Sequence, residues 1–334
     1  MNYAKNRISK SKKIRLGITL GDPAGIGPQV LCDALKCIKK PKDVEFIIIA
    51  DKRILEKFKF PKRGFEIIDL HNVDVRKFSF GEIDPDYGKA SIEYLKKAVE
   101  LIKNKEIDCL VTLPITKESV IKAGFCWPGH TEYLKDEFKV KDVVMMLMNR
   151  YIKVSLVTRH LAIKEISQRL SKDEIAKTII LTYEGLKSWF NIKNPKLAVS
   201  ALNPHASEGG IFGNEEKEVI IPAIKEAKDK IKGIKIFGPL PCDALFFKAK
   251  EKMFDAVIAM YHDQALIPLK LLDFWHGVNI TLGLPFVRTS PLHGTALDIA
   301  GKEKASCLPL LEAIRIACLC TLNQRRTSAV CERT

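Results

Sequence analysis

Apolar residues recur along the chain in two spacings, one typical of buried strands and one typical of amphipathic helices. Short apolar runs rich in β-branched residues predict strands at residues 14–20, 44–50, 65–70 and 107–113. Apolar positions three and four residues apart predict helices. These helices cover residues 89–103, 173–190, 215–230 and 308–322, with one more running from the first turn to residue 39. Strand and helix therefore alternate, which predicts an α/β fold with a mainly parallel sheet and helices on both faces.

Three further apolar runs each end in a histidine. They read SLVTRH, AVSALNPH and AVIAMYH, and they end at His160, His205 and His262. The carboxyl ends of parallel strands form the ligand-binding edge of an open α/β sheet. Three imidazoles at that edge could hold one divalent metal with a coordination position left open, which is the arrangement of a catalytic site. The alternative is three unrelated strand-end histidines, each hydrogen-bonded locally.

Size and composition are those of a globular protein with a large core. The chain has 334 residues, of which 46% are hydrophobic and 28% are charged, and we expect it to form two lobes. Its apolar runs fall short of the ~18 residues that would cross a bilayer, so no membrane partner is predicted. We expect the basic residues 1–15 to form a solvated arm and the polar residues 323–334 to fray.

The net charge of +15 and the nine cysteines bear on partners and compartment. A basic protein is compatible with a nucleic-acid partner. However, the lysines spread along helix-like faces, as at residues 93–97 and 226–230, and the chain has no zinc-finger or RNP-type signature. A solvated lysine-rich surface is therefore favoured over a nucleic-acid-binding module. The odd cysteine count, without a Cys-x-x-Cys pair, predicts reduced thiols in a cytoplasmic protein.

Two glycine-containing turns precede predicted helices. Residues 21–28 read GDPAGIGP, and glycines there let the backbone approach a ligand while the following helix N-terminus attracts anions. The spacing is neither a dinucleotide fingerprint nor a P-loop, so we interpret it as a site-forming turn, with a merely tight turn as the alternative. Residues 128–133 read PGHTEY. Because His130 follows a glycine, we interpret this turn as a place of close approach to a ligand. A simple helix cap formed by Thr131 and Glu132 is an equal alternative.

Polar residues after His262 suggest an anion site and a nucleotide site. Lys270, Asn279 and Arg288 bring two cations and an amide near a candidate metal ligand, which suits a phosphate or carboxylate. Ordinary surface charges are the alternative. Residues 293–301 read HGTALDIAG, a glycine-rich loop whose acidic residue could accept hydrogen bonds from ribose hydroxyls. A carboxylate there repels a 2′-phosphate, so the loop favours NAD over NADP.

Taken together, these motifs are recognisable. The chain resembles the 4-hydroxythreonine-4-phosphate dehydrogenases, enzymes of the vitamin B6 pathway, over nearly its whole length. The matching stretches are residues 17–28, 128–132, 203–205, 238–241, 261–264 and 293–301. The last stretch also looks like the adenosine-binding loop of the isocitrate and isopropylmalate dehydrogenases, whose fold the family shares.

The resemblance implies an architecture. Two α/β/α lobes with mainly parallel sheets would enclose an active-site cleft. Residues of about 1–125 and 285–334 would form a discontinuous nucleotide-binding lobe, and about 126–284 would form the lobe for metal, substrate and dimerisation. The family also implies a homodimer, with each metal site built at the subunit interface from both chains.

The resemblance further implies roles for single residues. The metal ligands would be His160, His205 and His262, holding one zinc, magnesium or cobalt ion. The substrate would contact His130, Thr131, Lys270, Asn279 and Arg288. Asp243 would lie close by, and with Lys270 it would take the catalytic roles. NAD or NADP would contact His293, Gly294, Thr295, Asp298 and Gly301.

The implied reaction is the NAD-dependent and metal-dependent oxidation of 4-phosphooxy-L-threonine. Its product, 2-amino-3-oxo-4-phosphooxybutanoate, would decarboxylate to 3-amino-2-oxopropyl phosphate in pyridoxal phosphate biosynthesis. A related phosphorylated four-carbon hydroxyacid is an alternative substrate, and a zinc hydrolase is a more distant alternative.

Three features depart from the family: Gln29 replaces a usual Glu, Pro291 and Leu292 precede His293 where an acidic residue is common, and the tail after Cys320 matches nothing in the family. The second departure bears on cofactor affinity.

Overall fold

The computed structural model describes residues 13–38, 43–61, 64–127 and 129–331. Within them, eleven strands form one continuous sheet. The strands are β1 (Ile14–Thr19), β2 (Val44–Ala50), β3 (Glu66–Asp69), β4 (Cys109–Thr112), β5 (Val144–Met148), β6 (Lys153–Leu156), β7 (Lys196–Ser200), β8 (Lys235–Leu240), β9 (Ala256–Ala259), β10 (Val278–Leu282) and β11 (Val287–Pro291).

Helices connect most of these strands. They are α1 (Gly27–Cys37), α2 (Lys52–Glu56), α3 (Pro85–Lys103), α4 (Lys117–Lys122), α5 (His130–Glu137), α6 (Ile163–Arg169), α7 (Lys172–Ser188), α8 (Ile221–Lys230), α9 (Cys242–Lys250), α10 (His262–Leu272) and α11 (Leu308–Cys331). A 3-10 segment, Pro204–Gly210, follows β7, and a π-helical turn, Glu216–Ile220, leads into α8. None of the described helices is long and apolar enough to cross a membrane.

The sheet has two parallel halves joined by antiparallel pairs. Its strand order is β3-β2-β1-β4-β11-β10-β5-β6-β9-β7-β8. Only the pairs β11–β10, β10–β5 and β5–β6 are antiparallel. The predicted α/β class with a mostly parallel sheet is confirmed, and hydrogen bonding runs unbroken from one half to the other. The lobe boundaries near residues 125 and 285 stay a prediction.

Helices cover both faces of the sheet, as the alternating pattern predicted. In the second half, one apolar cluster joins α7 and α8 to one face, for example through Ile179 and Ile224 against Ile258. A separate cluster joins α9 and α10 to the other face, for example through Leu245 and Leu269. Because both faces are covered, these strands are almost continuously apolar, as parallel strands usually are.

The largest error in the predicted elements lies at the end of the chain. We expected residues 323–334 to fray, but α11 continues to Cys331. The side chain of Asn323 is buried and donates to the Trp189 carbonyl at 2.9 Å. Arg325 lies 2.8 Å from the Asp108 carboxylate. These contacts hold the polar end of α11 against the protein, so the expectation of fraying is wrong up to Cys331. Residues 332–334, and the predicted arm up to residue 12, lie outside the described residues.

Candidate active site

A cleft of about 560 Å³ lies where the two halves of the sheet meet, over β5, β10 and β11. Of the fourteen predicted site residues, it is lined by nine: His130, Thr131, His160, His262, Lys270, Asn279, Arg288, His293 and Gly294. The other five, His205, Asp243, Thr295, Asp298 and Gly301, do not line it. The strands that deliver the nine are far apart in sequence, so the fold itself assembles the cleft.

His160 and His262 lie side by side in this cleft. They follow β6 and β9, which are parallel neighbours, so the carboxyl ends of the two strands meet. The ring centroids are 5.5 Å apart. Two imidazoles bound to one tetrahedral metal at about 2.1 Å would have centroids roughly 5 Å apart, so the pair fits a shared divalent ion. His262 Nδ1 lies 2.6 Å from Asp263 Oδ1, which leaves Nε2 for the metal, as is usual for a metal-binding histidine.

Neighbouring groups keep His160 in the form that a metal needs. Burial lowers the pKa of His160, and the adjacent Lys117, His262 and Arg159 lower it further. A lowered pKa favours neutral imidazole at neutral pH, and only the neutral ring offers a lone pair to a metal.

His205, the third predicted ligand, lies elsewhere. Its side chain is 69% exposed, and Nδ1 lies 3.8 Å from Glu208 Oε2. Within the described parts of this single chain, no three His, Cys, Asp or Glu side chains are grouped closely enough to hold a metal. The chain therefore supplies two candidate ligands to its own cleft and carries the third on its surface.

The backbone around His205 is unusual. Four consecutive non-glycine residues, His205 to Glu208, have left-handed φ angles of 54°, 53°, 69° and 43°. Left-handed backbone costs L-residues about 1–2 kcal/mol each, so such runs persist only where the surroundings impose them. This left-handed run begins at His205 itself, whereas the residues that link β6 to His160 and β9 to His262 include no left-handed backbone.

Arg288 is a buried cation at the floor of the cleft. Its side chain is 3% exposed, and its guanidinium donates to Thr112 Oγ1 at 2.6 and 3.1 Å and to Thr281 Oγ1 at 3.0 Å. Both partners are neutral hydroxyls. Burial lowers the pKa of Arg288 to about 10, so it stays charged at neutral pH. A buried charge without a bonded carboxylate is unfavourable unless an anionic ligand completes it.

Other groups around Arg288 suit an anionic ligand. Lys270 lies on α10 at the cleft, and Lys117 and Arg159 also line it. Glu132 is the one acidic side chain among the described lining residues, and it is 2.9 Å from Arg159. Burial, and then the charge of Arg288, lower the pKa of His130 well below its usual value. His130 is therefore neutral and can donate one hydrogen bond to a ligand oxygen.

Two buried polar atoms of the cleft have no partner within the described residues. They are Oδ1 of Asn279 on β10 and Nε2 of His293. The other ring nitrogen of His293, Nδ1, lies 2.9 Å from the Gly294 carbonyl oxygen. Buried polar groups are almost always hydrogen-bonded, so an unpartnered pair that lines a cleft marks where a ligand would bind.

The predicted nucleotide loop packs on the first turn of the chain. The Ile26 N–H donates to the Thr295 carbonyl at 3.0 Å. A Cβ on Gly25 would lie 2.9 Å from that same oxygen, so only glycine fits there. Gly301 has a φ of 72° and a Cβ there would touch the Phe80 ring. Two motifs that the sequence singled out separately thus form one unit beside the cleft, and the Asp298 side chain is exposed on it.

Asp243 lies in the first turn of α9 and is exposed outside the cleft. The structure of one chain therefore does not bring it to Lys270, and its catalytic role stays a prediction. The lining residues that the sequence reasoning missed include Thr112, Lys117 and Arg159. Arg159 could have been found, because it directly precedes His160 at a strand end; nothing local distinguishes the other two.

The fold and the cleft are those of an α/β protein whose basic cleft suits a small anion beside two neighbouring histidines. The family model for the pyridoxal phosphate biosynthetic protein PdxA matches residues 26–317. The chain belongs to this family. Its fold is related to that of the isocitrate and isopropylmalate dehydrogenases.

Known relatives agree with this family. The chain is 42% identical over 323 residues to the 4-hydroxythreonine-4-phosphate dehydrogenase of Sulfurihydrogenibium sp., covering 92% of this chain and 98% of the relative. It is 40% identical over 327 residues to an Oceanobacillus iheyensis protein provisionally named D-threonate 4-phosphate dehydrogenase, with coverage of 92% and 98%. The crystal structure of the Klebsiella pneumoniae 4-hydroxythreonine-4-phosphate dehydrogenase superposes with a TM-score of 0.82 at 32% identity, covering 93% of this chain and 100% of that one. The relatives are dehydrogenases, so the chain is an oxidoreductase.

Proposed function

We propose that this protein is an NAD-dependent and divalent-metal-dependent 4-hydroxythreonine-4-phosphate dehydrogenase. It would oxidise 4-phosphooxy-L-threonine to 2-amino-3-oxo-4-phosphooxybutanoate, which loses carbon dioxide to give 3-amino-2-oxopropyl phosphate. The observation that carries this proposal is the buried guanidinium of Arg288, which among the described residues bonds to hydroxyls alone. It lies in the same cleft as the neighbouring rings of His160 and His262. The names of the relatives support the substrate class.

The cleft offers a specific reception for a phosphorylated hydroxyacid. Arg288 and Lys270 would hold anionic oxygens, because guanidinium and ammonium groups form strong charge-assisted hydrogen bonds to phosphate and carboxylate. The unpartnered Asn279 Oδ1 would accept a hydrogen bond from a hydroxyl or ammonium group. Neutral His130 would donate to a further oxygen. Fixing the substrate at both ends orients the carbon that gives up hydride.

The metal would be held by His160 and His262 of this chain, with His205 supplied across a homodimer interface. A bound divalent ion supplies Lewis acidity, which lowers the pKa of a substrate hydroxyl and stabilises charge on a neighbouring carbonyl. The role of His160 and His262 is to present imidazole nitrogens in the cleft. Asp243 would orient a ligand or accept a proton only once a second subunit brings it near.

A homodimer is supported by the exposed apolar side chains near the cleft. On and after α10, Leu271 is 85% exposed and Ile267 66%, and Phe274 and Trp275 are each more than half exposed. Large apolar patches of this kind usually mark an interface.

The free cysteines among the described residues support a cytoplasmic location, because disulfides are rare in cytoplasmic proteins.

The loop at residues 293–301 would bind the nucleotide, with Asp298 on the ribose. We expect Asp298→Ala to weaken NAD binding about tenfold, which is 1.4 kcal/mol, because a charged acceptor for the ribose hydroxyls is lost. Substrate affinity should change less than twofold, and the preference for NAD over NADP should fall. Calorimetric titration of both nucleotides measures this. Asp229→Ala is the matched control, because Asp229 is an exposed carboxylate on α8. An equal loss of substrate affinity and NAD affinity in Asp298→Ala would reject the ribose assignment.

A second candidate substrate is D-threonate 4-phosphate. It is favoured by the Oceanobacillus iheyensis relative, which is nearly as similar to this chain as the first one. Both substrates carry a phosphate and a carboxylate, so Arg288 and Lys270 would serve either. A zinc hydrolase would not need the nucleotide loop that packs on the first turn.

The proposed function is tested with a panel of phosphorylated hydroxyacids. Each compound is assayed with NAD and with NADP, and reduction of the nicotinamide is followed by its absorbance. The protein is first stripped with a chelator, then supplied with zinc, magnesium or cobalt. We expect 4-phosphooxy-L-threonine with NAD to give the highest kcat/KM, and activity to return only with metal. Full activity in the stripped protein, or product formation without nicotinamide reduction, would reject the proposal.

A further inference from the structure

A buried carboxylate lies behind the segment that carries His205. Glu216, the first residue of the π-helical turn, is 3% exposed. Its Oε1 accepts from the backbone N–H groups of Leu202 and Asn203, both at 2.8 Å. Its Oε2 accepts from the side-chain amide of Asn203 at 2.9 Å. Three hydrogen-bond donors therefore stabilise a carboxylate whose burial would otherwise be unfavourable.

A second carboxylate completes the arrangement. Glu215 Oε2 accepts from the same Asn203 amide at 2.8 Å, and Ser167 Oγ donates to Glu215 Oε1 at 2.5 Å. Gly213 has a φ of 123°, which favours glycine, and a Cβ there would lie 2.5 Å from Glu215 Oε2. We call Asn203, Glu215 and Glu216 the carboxylate clamp.

The clamp fixes the chain immediately before the left-handed turn. Asn203 is followed by Pro204 and then by His205, whose φ of 54° begins the run of four left-handed residues. Ser207 Oγ donates to the Gly213 carbonyl, which ties the turn to the segment that leads into Glu215 and Glu216. A strained turn of this kind persists only when its two ends are held. The two ends are held by Asn203 and Gly213.

We propose that Glu216 is a positioning residue. It fixes the backbone before His205 and thereby orients the His205 side chain for a metal site. The inference rests on the proposed role of His205 as a metal ligand. The physical reason is that an exposed imidazole on a free loop would sample many directions, and ordering it would weaken metal binding. Holding the backbone at residues 202 and 203 in advance removes that cost.

The test is Glu216→Gln, which keeps the shape of the side chain. The amide oxygen can still accept from the two backbone N–H groups, but the amide NH₂ then faces the Asn203 NH₂, and neither can accept. We expect backbone amide exchange across residues 202–214 of the metal-free protein to speed up at least tenfold. We also expect the zinc Kd to rise at least tenfold, with kcat falling more than KM changes.

Two further variants make the test specific. Glu218→Gln lies in the same turn but is exposed, and it should leave exchange, zinc affinity and turnover unchanged. Asn203→Ala removes the shared donor and should reproduce the pattern of Glu216→Gln, and it decides the question if Glu216→Gln does not fold. Melting temperature is recorded for every variant, because a merely structural role would lower it without moving zinc affinity.

The outcomes separate this inference from the function on which it rests. Normal exchange at residues 202–214 in folded Glu216→Gln and Asn203→Ala would overturn the clamp, as would a lowered melting temperature with unchanged exchange and zinc affinity. If His205→Ala leaves zinc affinity unchanged, the ligand role of His205 fails, while the exchange measurement on metal-free protein still decides whether the clamp holds the turn.

Discussion

Replacing Arg288 with methionine is expected to lower kcat/KM for the phosphorylated substrate about 100- to 1000-fold, which corresponds to 2.7–4 kcal/mol. Arg288 is 3% exposed, and within the described residues its guanidinium bonds to the hydroxyls of Thr112 and Thr281 alone. In the proposed function, the substrate anion is the partner that would make its burial favourable. Methionine keeps an unbranched apolar stem and carries no charge, so it removes this interaction and loses less volume than alanine would.

The same substitution should not lower the free energy of unfolding. Taking a charge out of a buried position that has no bonded carboxylate is neutral or stabilising. Activity and stability would then move independently, which is the behaviour of a ligand-binding residue rather than a core residue. Steady-state kinetics and urea unfolding measure the two quantities. Arg76→Met is the matched control, because Arg76 is exposed and pairs with Asp74; equal kcat/KM in Arg288→Met and the wild type would contradict the assignment.

Replacing His262 with alanine is expected to abolish turnover, to below about 1% of wild type, and to weaken zinc binding at least 100-fold. One of the proposed imidazole ligands would be lost, and even loss of groups that only orient such ligands costs about 10–100-fold. The fold should survive, because the ring is 38% exposed and its bond to Asp263 is local. Zinc titration and circular dichroism check both statements.

His71→Ala is the matched control for this prediction. His71 is 66% exposed, pairs locally with Asp69 and does not line the cleft. It should retain wild-type zinc affinity and turnover. Restoration of His262→Ala activity by excess zinc would show weakened binding, whereas unchanged zinc affinity in His262→Ala would mean that the ring is not a ligand.

The strand-end histidines show how far sequence reasoning reaches. His160 and His262 were predicted to meet, and they lie together because β6 and β9 are adjacent and parallel. β7 is the next strand, on the other side of β9, so the same rule would bring His205 to the same edge. His205 instead lies in a left-handed turn and does not line the cleft. The chain around that turn is hydrogen-bonded to Glu216 and Gly213, which lie further along the sequence, so no local apolar pattern reveals it.

Other parts of the site also depend on long-range contacts. The strands β5, β10 and β11 join the two halves of the sheet in antiparallel pairs, which a pattern of alternating strands and helices does not predict. Arg288 looks like an ordinary surface charge in sequence, and only the pairing of β11 with β4 and β10 buries it. The loop at residues 293–301 stands out in the sequence by its own glycines, and the structure packs it on Gly25 and Ile26. Its role in nucleotide binding stays a prediction.

The central claim is that His160 and His262 bind one divalent metal in the cleft that holds Arg288. X-ray absorption spectroscopy on the zinc-loaded protein, compared with His160→Ala and His262→Ala, tests it most directly. We predict about one zinc per chain with imidazole nitrogens at about 2.0–2.1 Å, and the loss of one imidazole in each variant. Zinc whose coordination shell is identical in the wild type and both variants would contradict the account.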